Sequence, residues 1–117
     1  VTLWGTGNPM REFLYISDLA DAVVWAMKHY NDPEIINVGS GVEVSIRELS
    51  EMVALEIGYR GEIVWDHSKP DGTPRKILDC SKIHSLGWKY QIPLRYGLKL
   101  AYRDYVEQLS CGALPML

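Results

Sequence analysis

The chain has 117 residues, of which 47% are hydrophobic and 23% charged, and its formal net charge is −3. These proportions exclude a disordered, collagen-like or low-complexity protein, and the length suits one ordinary globular domain. The longest apolar run, residues 22–27, is far too short to span a membrane, and residues 1–11 lack the order of a signal peptide. We therefore expect one domain, with no membrane association and a cytoplasmic location.

The first residues predict a strand, a turn and a second strand. Residues 1–4 are a strand-like run, the cluster at 5–9 is a turn, and residues 12–16 form another short strand. Gly5 and Gly7 lack the third glycine of a dinucleotide-binding fingerprint, so a tight turn explains them better than a phosphate loop. Because the strand-like run starts at once and without a methionine, we expect a piece of a longer protein.

The first helix is predicted after this pair of strands. Ser17 and Asp18 are good N-cap residues, and the apolar positions that follow recur with the helical period as far as about Tyr30. The apolar stripe at residues 19–27 is wide. Such a face needs more than one neighbour to cover it.

The next two elements are a strand and a helix with clear boundaries. Residues 35–38 are rich in β-branched side chains and predict a strand. Ser45 and Glu48 form a capping box, in which each side chain binds the backbone N–H of the other residue at the start of a helix. Gly58 predicts the end of that helix as a left-handed residue.

A short strand at residues 62–65 precedes a polar loop at residues 66–76 that is locally basic. The loop carries Lys69, Arg75 and Lys76, and its two prolines restrict the backbone, which lowers the entropy lost on binding an anion. An ordinary solvated surface loop is the simpler interpretation of the same residues.

The carboxyl-terminal part predicts two helices. Asp79 or Ser81 can cap a short helix that ends at Gly87, and Pro93 suits the first turn of the last helix. Residues 110–117 show no pattern and are assigned as a tail of unknown structure.

Two residues at the first turn are candidates for ligand binding. Trp4 offers a broad apolar face, and Arg11 offers a bidentate fork to phosphate. The alternative is a core tryptophan beside a surface arginine. On these two residues alone the alternative is the simpler interpretation.

The remaining chemistry-bearing residues form no recognisable catalytic or metal set. No tyrosine has a lysine four residues on, no Ser-His-Asp or Cys-His pairing is visible, and the cysteines and histidines show no metal-ligand spacing. The bases Arg95, Lys99 and Arg103 predict a solvated helix face, with an acidic partner as the second choice. Nucleic-acid binding is not expected at a net charge of −3.

Three segments together are specific enough to indicate a family. They are residues 1–18 (VTLWGTGNPMREFLYISD), 36–48 (INVGSGVEVSIRE) and 66–79 (DHSKPDGTPRKILD). In this order and at these separations they resemble the carboxyl-terminal portion of the GDP-L-fucose synthase family, within the extended short-chain dehydrogenase/reductase superfamily. The resemblance covers residues 1 to about 107.

The resemblance implies an NADPH-dependent, homodimeric enzyme that epimerises GDP-4-keto-6-deoxy-D-mannose at C3 and C5 and then reduces C4 to give GDP-L-fucose. In that family the amino-terminal Rossmann half binds NADP and carries the catalytic groups, so we assign this chain neither catalytic nor cofactor-binding residues and expect it to be inactive alone. In that superfamily, the equivalents of the first helix of this chain and of the strand at 35–38 pack on the Rossmann half. We therefore expect this chain alone to expose the apolar face at residues 19–27.

Carried over by motif, the implied contacts to the GDP-sugar are Trp4, Arg11, Asp71 and Lys76. The implied fold class is α/β, or α+β within the chain itself, with a nucleotide-sugar substrate-binding domain at residues 1–109 and the Rossmann half absent. Another nucleotide-sugar epimerase or dehydratase, or a stand-alone sugar-nucleotide binding module, are the alternatives. Lys69 and Arg75 are expected to be solvated surface residues.

Overall fold

The computed structural model describes residues 1–112 and shows a mixed α/β fold. In chain order its elements are β1 (Thr2–Trp4), β2 (Met10–Glu12), α1 (Ile16–His29), β3 (Glu43–Ser45), α2 (Ile46–Glu56), β4 (Val64–Asp66), β5 (Arg75–Lys76), α3 (Ser81–Ser85) and α4 (Leu94–Ser110). The mixed fold class expected from the sequence is confirmed. Of the predicted tail at 110–117, Ser110 is the last residue of α4, and residues 113–117 lie outside the described part.

The strands form two small sheets that the first turn connects. β1 pairs in parallel with β4, while β2 lies between β3, which is antiparallel to it, and β5, which is parallel. The predicted strand at 62–65 is displaced, because its parallel pairing with β1 begins at Val64. The turn between β1 and β2 therefore fixes the position of one sheet relative to the other.

The second helix forms as its local signals predict. Ser45 Oγ accepts the Glu48 backbone N–H at 3.1 Å, and Glu48 Oε2 accepts the Ser45 backbone N–H at 2.8 Å. These bonds to Ser45 lower the pKa of Glu48 below its ordinary value. Gly58 follows the helix with φ of +69°, so the capping box and the terminating glycine are both confirmed.

The start of the first helix differs from the prediction. α1 begins at Ile16 after the N-cap residue Tyr15, and no side chain caps it. The predicted strand at 12–16 is wrong, since pairing with the neighbouring strands ends at Glu12. Asp18 lies inside the helix, where its carboxylate binds the backbone of a distant segment.

The predicted strand at 35–38 is absent from the structure. These residues pair with no strand in the described part of the chain. Ile36 and Val38 pack against the core, whereas Ile35 is 90% exposed. β-branched residues favour extended backbone, but a strand also needs a partner to share its hydrogen bonds, and none is available here.

The buried core is small and lies between α1 and α3. Its main cluster consists of Ala22, Cys80, Ile83 and Trp88, and Val44 on β3 is also buried. Among the larger side chains of residues 1–112, only Ile83 is fully buried. The opposite face of α1 is open to solvent, as expected. On it the fractional exposures reach 52% at Val23 and 81% at Met27.

Across residues 1–112, no helix combines the length and apolar content that crossing a bilayer requires.

Candidate functional site

The basic loop folds back beside the first turn. Its end forms β5, which pairs with β2 so that Lys76 is the direct neighbour of Arg11, and the Met10 N–H donates to Pro74 O at 2.9 Å. Residues paired across adjacent strands project to the same face of a sheet. Two of the four predicted contact residues, Arg11 and Lys76, are thus brought together by strand register.

The Arg11 guanidinium is half-buried and lies against the backbone, where Nη1 donates to Met10 O at 2.7 Å. No carboxylate in the described part of the chain forms an ion pair with it. Its positive charge is therefore not neutralised by a neighbouring side chain. An unpaired, partly desolvated guanidinium is well suited to bind a phosphate oxygen.

Arg75 stands on the other face of the same sheet and behaves differently. Its Nε and Nη2 donate to the two carboxylate oxygens of Glu43 at 2.7 and 3.1 Å. The side chain is 64% exposed, so Arg75 is a surface residue as expected, but it is ion-paired rather than simply solvated. Arg75 therefore provides an internal comparison for Arg11.

Trp4, another of the four predicted contact residues, ends β1 with an exposed side chain. Its side chain is 70% exposed, which removes the interpretation of a core tryptophan. The ammonium of Lys69 lies 5.8 Å from the centre of the indole ring. Lys69 is an exposed surface lysine, as expected, and its ammonium also lies over the aromatic face of Trp4.

Asp71 joins the basic loop to the first turn. Its Oδ1 accepts the Thr6 backbone N–H at 2.6 Å, and its Oδ2 accepts the Thr6 hydroxyl at 2.7 Å. Two hydrogen bonds from Thr6 lower the pKa of Asp71 below its ordinary value of 3.8. The bond from the backbone N–H has the larger effect, and the bond from the hydroxyl has the smaller one. The carboxylate is thus ionised and held against the turn at neutral pH.

This depressed pKa predicts a loss of the loop attachment in acid. A carboxylate whose pKa is lower in the folded state stabilises that state above its unfolded pKa, and the stabilisation is lost as the pH falls through the folded value. We expect the Thr6 amide resonance to be constant at neutral pH and to shift as the pH is lowered below 3.8. A proton–nitrogen NMR titration measures this, and an amide that responds only near pH 6 contradicts it.

Glu12 is a second carboxylate that binds backbone amides, and this role was not predicted from the sequence. It accepts the Gly41 N–H at 2.6 Å and the Leu78 N–H at 3.0 Å. It therefore joins the loop before β3 to the segment after β5. The role of its neighbour Arg11 could be proposed because Arg11 lies in a recognisable motif. The role of Glu12 could not, because its partners are backbone amides far away in the sequence.

Neither the buried thiol nor any other cluster adds a reactive group. Burial raises the pKa of Cys80, and the nearby carboxylates of Glu12 and Asp79 raise it further, so the thiol is protonated at neutral pH. In residues 1–112 no three His, Cys, Asp or Glu side chains are grouped closely enough to bind a metal ion. The chemistry that the paired side chains of Arg11 and Lys76 support is the binding of an anion.

Comparison with known proteins relates this chain to a family. Residues 1–39 match the model of the NAD dependent epimerase/dehydratase family. Over 109 residues the chain is 56% identical to the probable GDP-L-fucose synthase 1 of Oryza sativa subsp. japonica. The chain is similar to the carboxyl-terminal third of the GDP-L-fucose synthases. The match covers 93% of this chain but 33% of the rice protein, so the chain spans about a third of the length of the curated relatives it matches.

Solved structures of this family and of related reductases have the same fold. A GDP-L-fucose synthetase from Naegleria fowleri bound to NADP superposes with a TM-score of 0.86 at 27% identity, over 93% of this chain and 35% of that one. A GDP-6-OMe-4-keto-L-xylo-heptose reductase from C. jejuni gives 0.85 at 42% identity, over 92% and 34% of the respective chains. The resemblance identified from the three sequence segments is confirmed.

Proposed function

We propose that this chain is the nucleotide-sugar-binding part of an NADP-dependent GDP-L-fucose synthase, which converts GDP-4-keto-6-deoxy-D-mannose into GDP-L-fucose by epimerisation and reduction. The observation that carries the proposal is the pairing of Arg11 with Lys76 in adjacent strands. It places two basic side chains on one face of a sheet, and the guanidinium of Arg11 has no acidic partner in the described part of the chain.

The proposed ligand matches this arrangement of charge. A GDP-sugar carries about two negative charges on its diphosphate, and fixed cations in a partly desolvated cleft bind such a group more strongly than they do in bulk water. Arg11 and Lys76 neutralise the diphosphate, Trp4 forms an apolar wall, and Asp71 belongs to the loop at the nucleotide end. Residues 1–109 constitute the substrate-binding domain.

The described residues do not fit the dinucleotide cofactor. The N–H groups of Gly5 and Thr6, the nearest equivalent of a phosphate-binding loop, already donate to Asp66 O and to Asp71. A Cβ at Gly7 would overlap the ring of Trp65, so that side of the turn is filled by protein. We therefore assign NADP, and the catalytic groups, to a Rossmann half of the same protein.

The same Rossmann half is the proposed neighbour of two features that this chain leaves uncovered. One is the exposed apolar face of α1, with Val23 and Met27, and the other is the segment at 35–38, which pairs with no described strand and exposes Ile35. A face of this kind is unfavourable in water and is normally covered. We also propose homodimeric assembly and a cytoplasmic location, both of which were expected from the sequence.

Replacing Lys76 by alanine in the complete protein tests the assignment of the ligand. We expect GDP to bind about threefold to tenfold more weakly, because one of two cations facing the diphosphate is lost, while the affinity for NADPH is unchanged. Calorimetric titration with GDP, UDP and NADPH measures all three. Lys99→Ala on α4 removes an equal charge outside the site and serves as the matched control.

The nucleotide series separates the alternatives. Tighter binding of GDP than of UDP supports the proposal. Preference for UDP indicates a different nucleotide-sugar epimerase or dehydratase, and a loss of NADPH affinity in Lys76→Ala means that the loop binds the cofactor instead. If the complete protein contains no Rossmann half and still binds GDP, it is a stand-alone binding module.

A further inference from the structure

We propose that Asp71 and Arg47 are positioning residues that clamp residues 5–7 of the turn between β1 and β2 from two sides and thereby set the geometry of the nucleotide-sugar site. This inference rests on the proposed function and refines the role of Asp71. Asp71 acts through Thr6, whereas the motif alone implies a direct contact with the substrate.

The first side of the clamp is the Asp71 carboxylate. Both of its oxygens are engaged by Thr6, one by the backbone N–H and the other by the hydroxyl. The packing is close, since Gly5 has φ of +78° and a Cβ there would overlap the carboxylate. The shape of the turn therefore accommodates this carboxylate.

The second side is Arg47, which lies in the first turn of α2. Its backbone N–H donates to Gly7 O at 2.9 Å, and its Nη2 donates to Thr6 O at 2.6 Å. The guanidinium lies 4.7 Å from the ring centre of Trp65, which packs against Gly7. Arg47 thus binds the carbonyl groups of the turn, while Asp71 binds an amide and a hydroxyl.

The clamped turn connects the residues proposed to bind the ligand. Trp4 is the last residue of β1, and Arg11 is the central residue of β2, so the path of residues 5–9 sets the distance between them. The position of Lys76 also depends on this turn, because the loop that Asp71 attaches to Thr6 continues into β5. A small displacement of binding groups is enough to reduce affinity, so residues that hold this turn affect binding without touching the ligand.

The experiment compares Asp71→Ala, Thr6→Val and Thr6→Ser in the complete protein. Thr6→Val removes the hydroxyl that donates to Asp71 and that also accepts the Asn8 N–H at 3.2 Å, and Thr6→Ser retains both bonds. Two quantities are measured: amide hydrogen exchange of residues 5–7 without nucleotide, and the affinity for GDP by calorimetry. Asp104→Ala removes a carboxylate that binds only Gln108 on α4 among the described residues, and it serves as the matched control.

The clamp predicts that Asp71→Ala and Thr6→Val both accelerate exchange in the turn and both weaken GDP by about threefold to tenfold, while Thr6→Ser and Asp104→Ala change neither. Arg47→Ala, which keeps its backbone N–H, is expected to behave like Thr6→Val. Asp71→Asn replaces Asp71→Ala if the latter does not fold.

Two outcomes overturn the clamp. One is a loss of GDP affinity in Asp71→Ala with unchanged affinity in Thr6→Val, which makes Asp71 a direct contact. The other is unchanged exchange of residues 5–7 in all variants. Failure of the unaltered protein to bind GDP contradicts the proposed function instead, and the exchange measurement then decides the clamp by itself.

Discussion

Replacing Arg11 by alanine in the complete protein is expected to weaken binding of the GDP-sugar by about 2–3 kcal/mol, which corresponds to roughly 30-fold or more in affinity. The reason is that Arg11 presents a half-buried guanidinium whose charge has no acidic partner among the described residues. When a phosphate group loses this partner in a partly desolvated cleft, hydrogen bonds from water do not fully replace the lost interaction. Calorimetric titration with GDP, together with KM for the 4-keto sugar nucleotide, measures the effect.

Arg75→Ala is the matched control for this prediction. Arg75 lies in the strand next to Arg11 and carries the same charge, but Glu43 already neutralises it through two hydrogen bonds. Because the Arg75 side chain is 64% exposed, its removal should change the free energy of unfolding by less than about 1 kcal/mol and GDP affinity by less than about threefold. Equal losses in both variants indicate a general effect of charge. An unchanged KM and kcat in Arg11→Ala shows that Arg11 does not contact the substrate.

The comparison of the two arginines also shows which parts of the site were accessible from sequence. Arg11 and Lys76 lie in recognisable motifs, so their role in anion binding could be proposed from the sequence alone. Their proximity could not, because it depends on the register of a parallel pairing between β2 and β5. The charge of Arg75 is equally visible in the sequence, but its neutralisation by Glu43 spans 32 residues.

The helices and strands show the same division between local and long-range information. The capping box at Ser45 and Glu48 is complete within four residues, so the sequence predicts it correctly. The segment at 35–38 has the composition of a strand, but strand formation also requires a partner that the described residues do not supply. The capping box is complete without a distant partner and forms, whereas the segment at 35–38 needs a distant partner and forms no strand.

The largest loss of stability is expected from Asp18→Ala, at about 2–4 kcal/mol. Asp18 is only 5% exposed, and its two carboxylate oxygens accept the backbone N–H groups of Gln91 and Ile92 at 3.2 and 2.9 Å. These residues lie immediately before α4, so the carboxylate attaches the start of α4 to α1. Alanine leaves both amides in a partly buried position without an acceptor.

Ser17→Ala distinguishes this role from the helix cap that the sequence predicts at the same place. The side chain of Ser17 is exposed and does not cap α1, so its replacement should change the free energy of unfolding by less than about 0.5 kcal/mol. Urea denaturation of the chain, followed by circular dichroism, gives both values from the shift in midpoint at constant slope. Similar, small losses in the two variants favour a capping role for the Ser17 and Asp18 pair. A large loss confined to Asp18→Ala supports a tertiary anchor, because only the Asp18 carboxylate reaches the segment before α4.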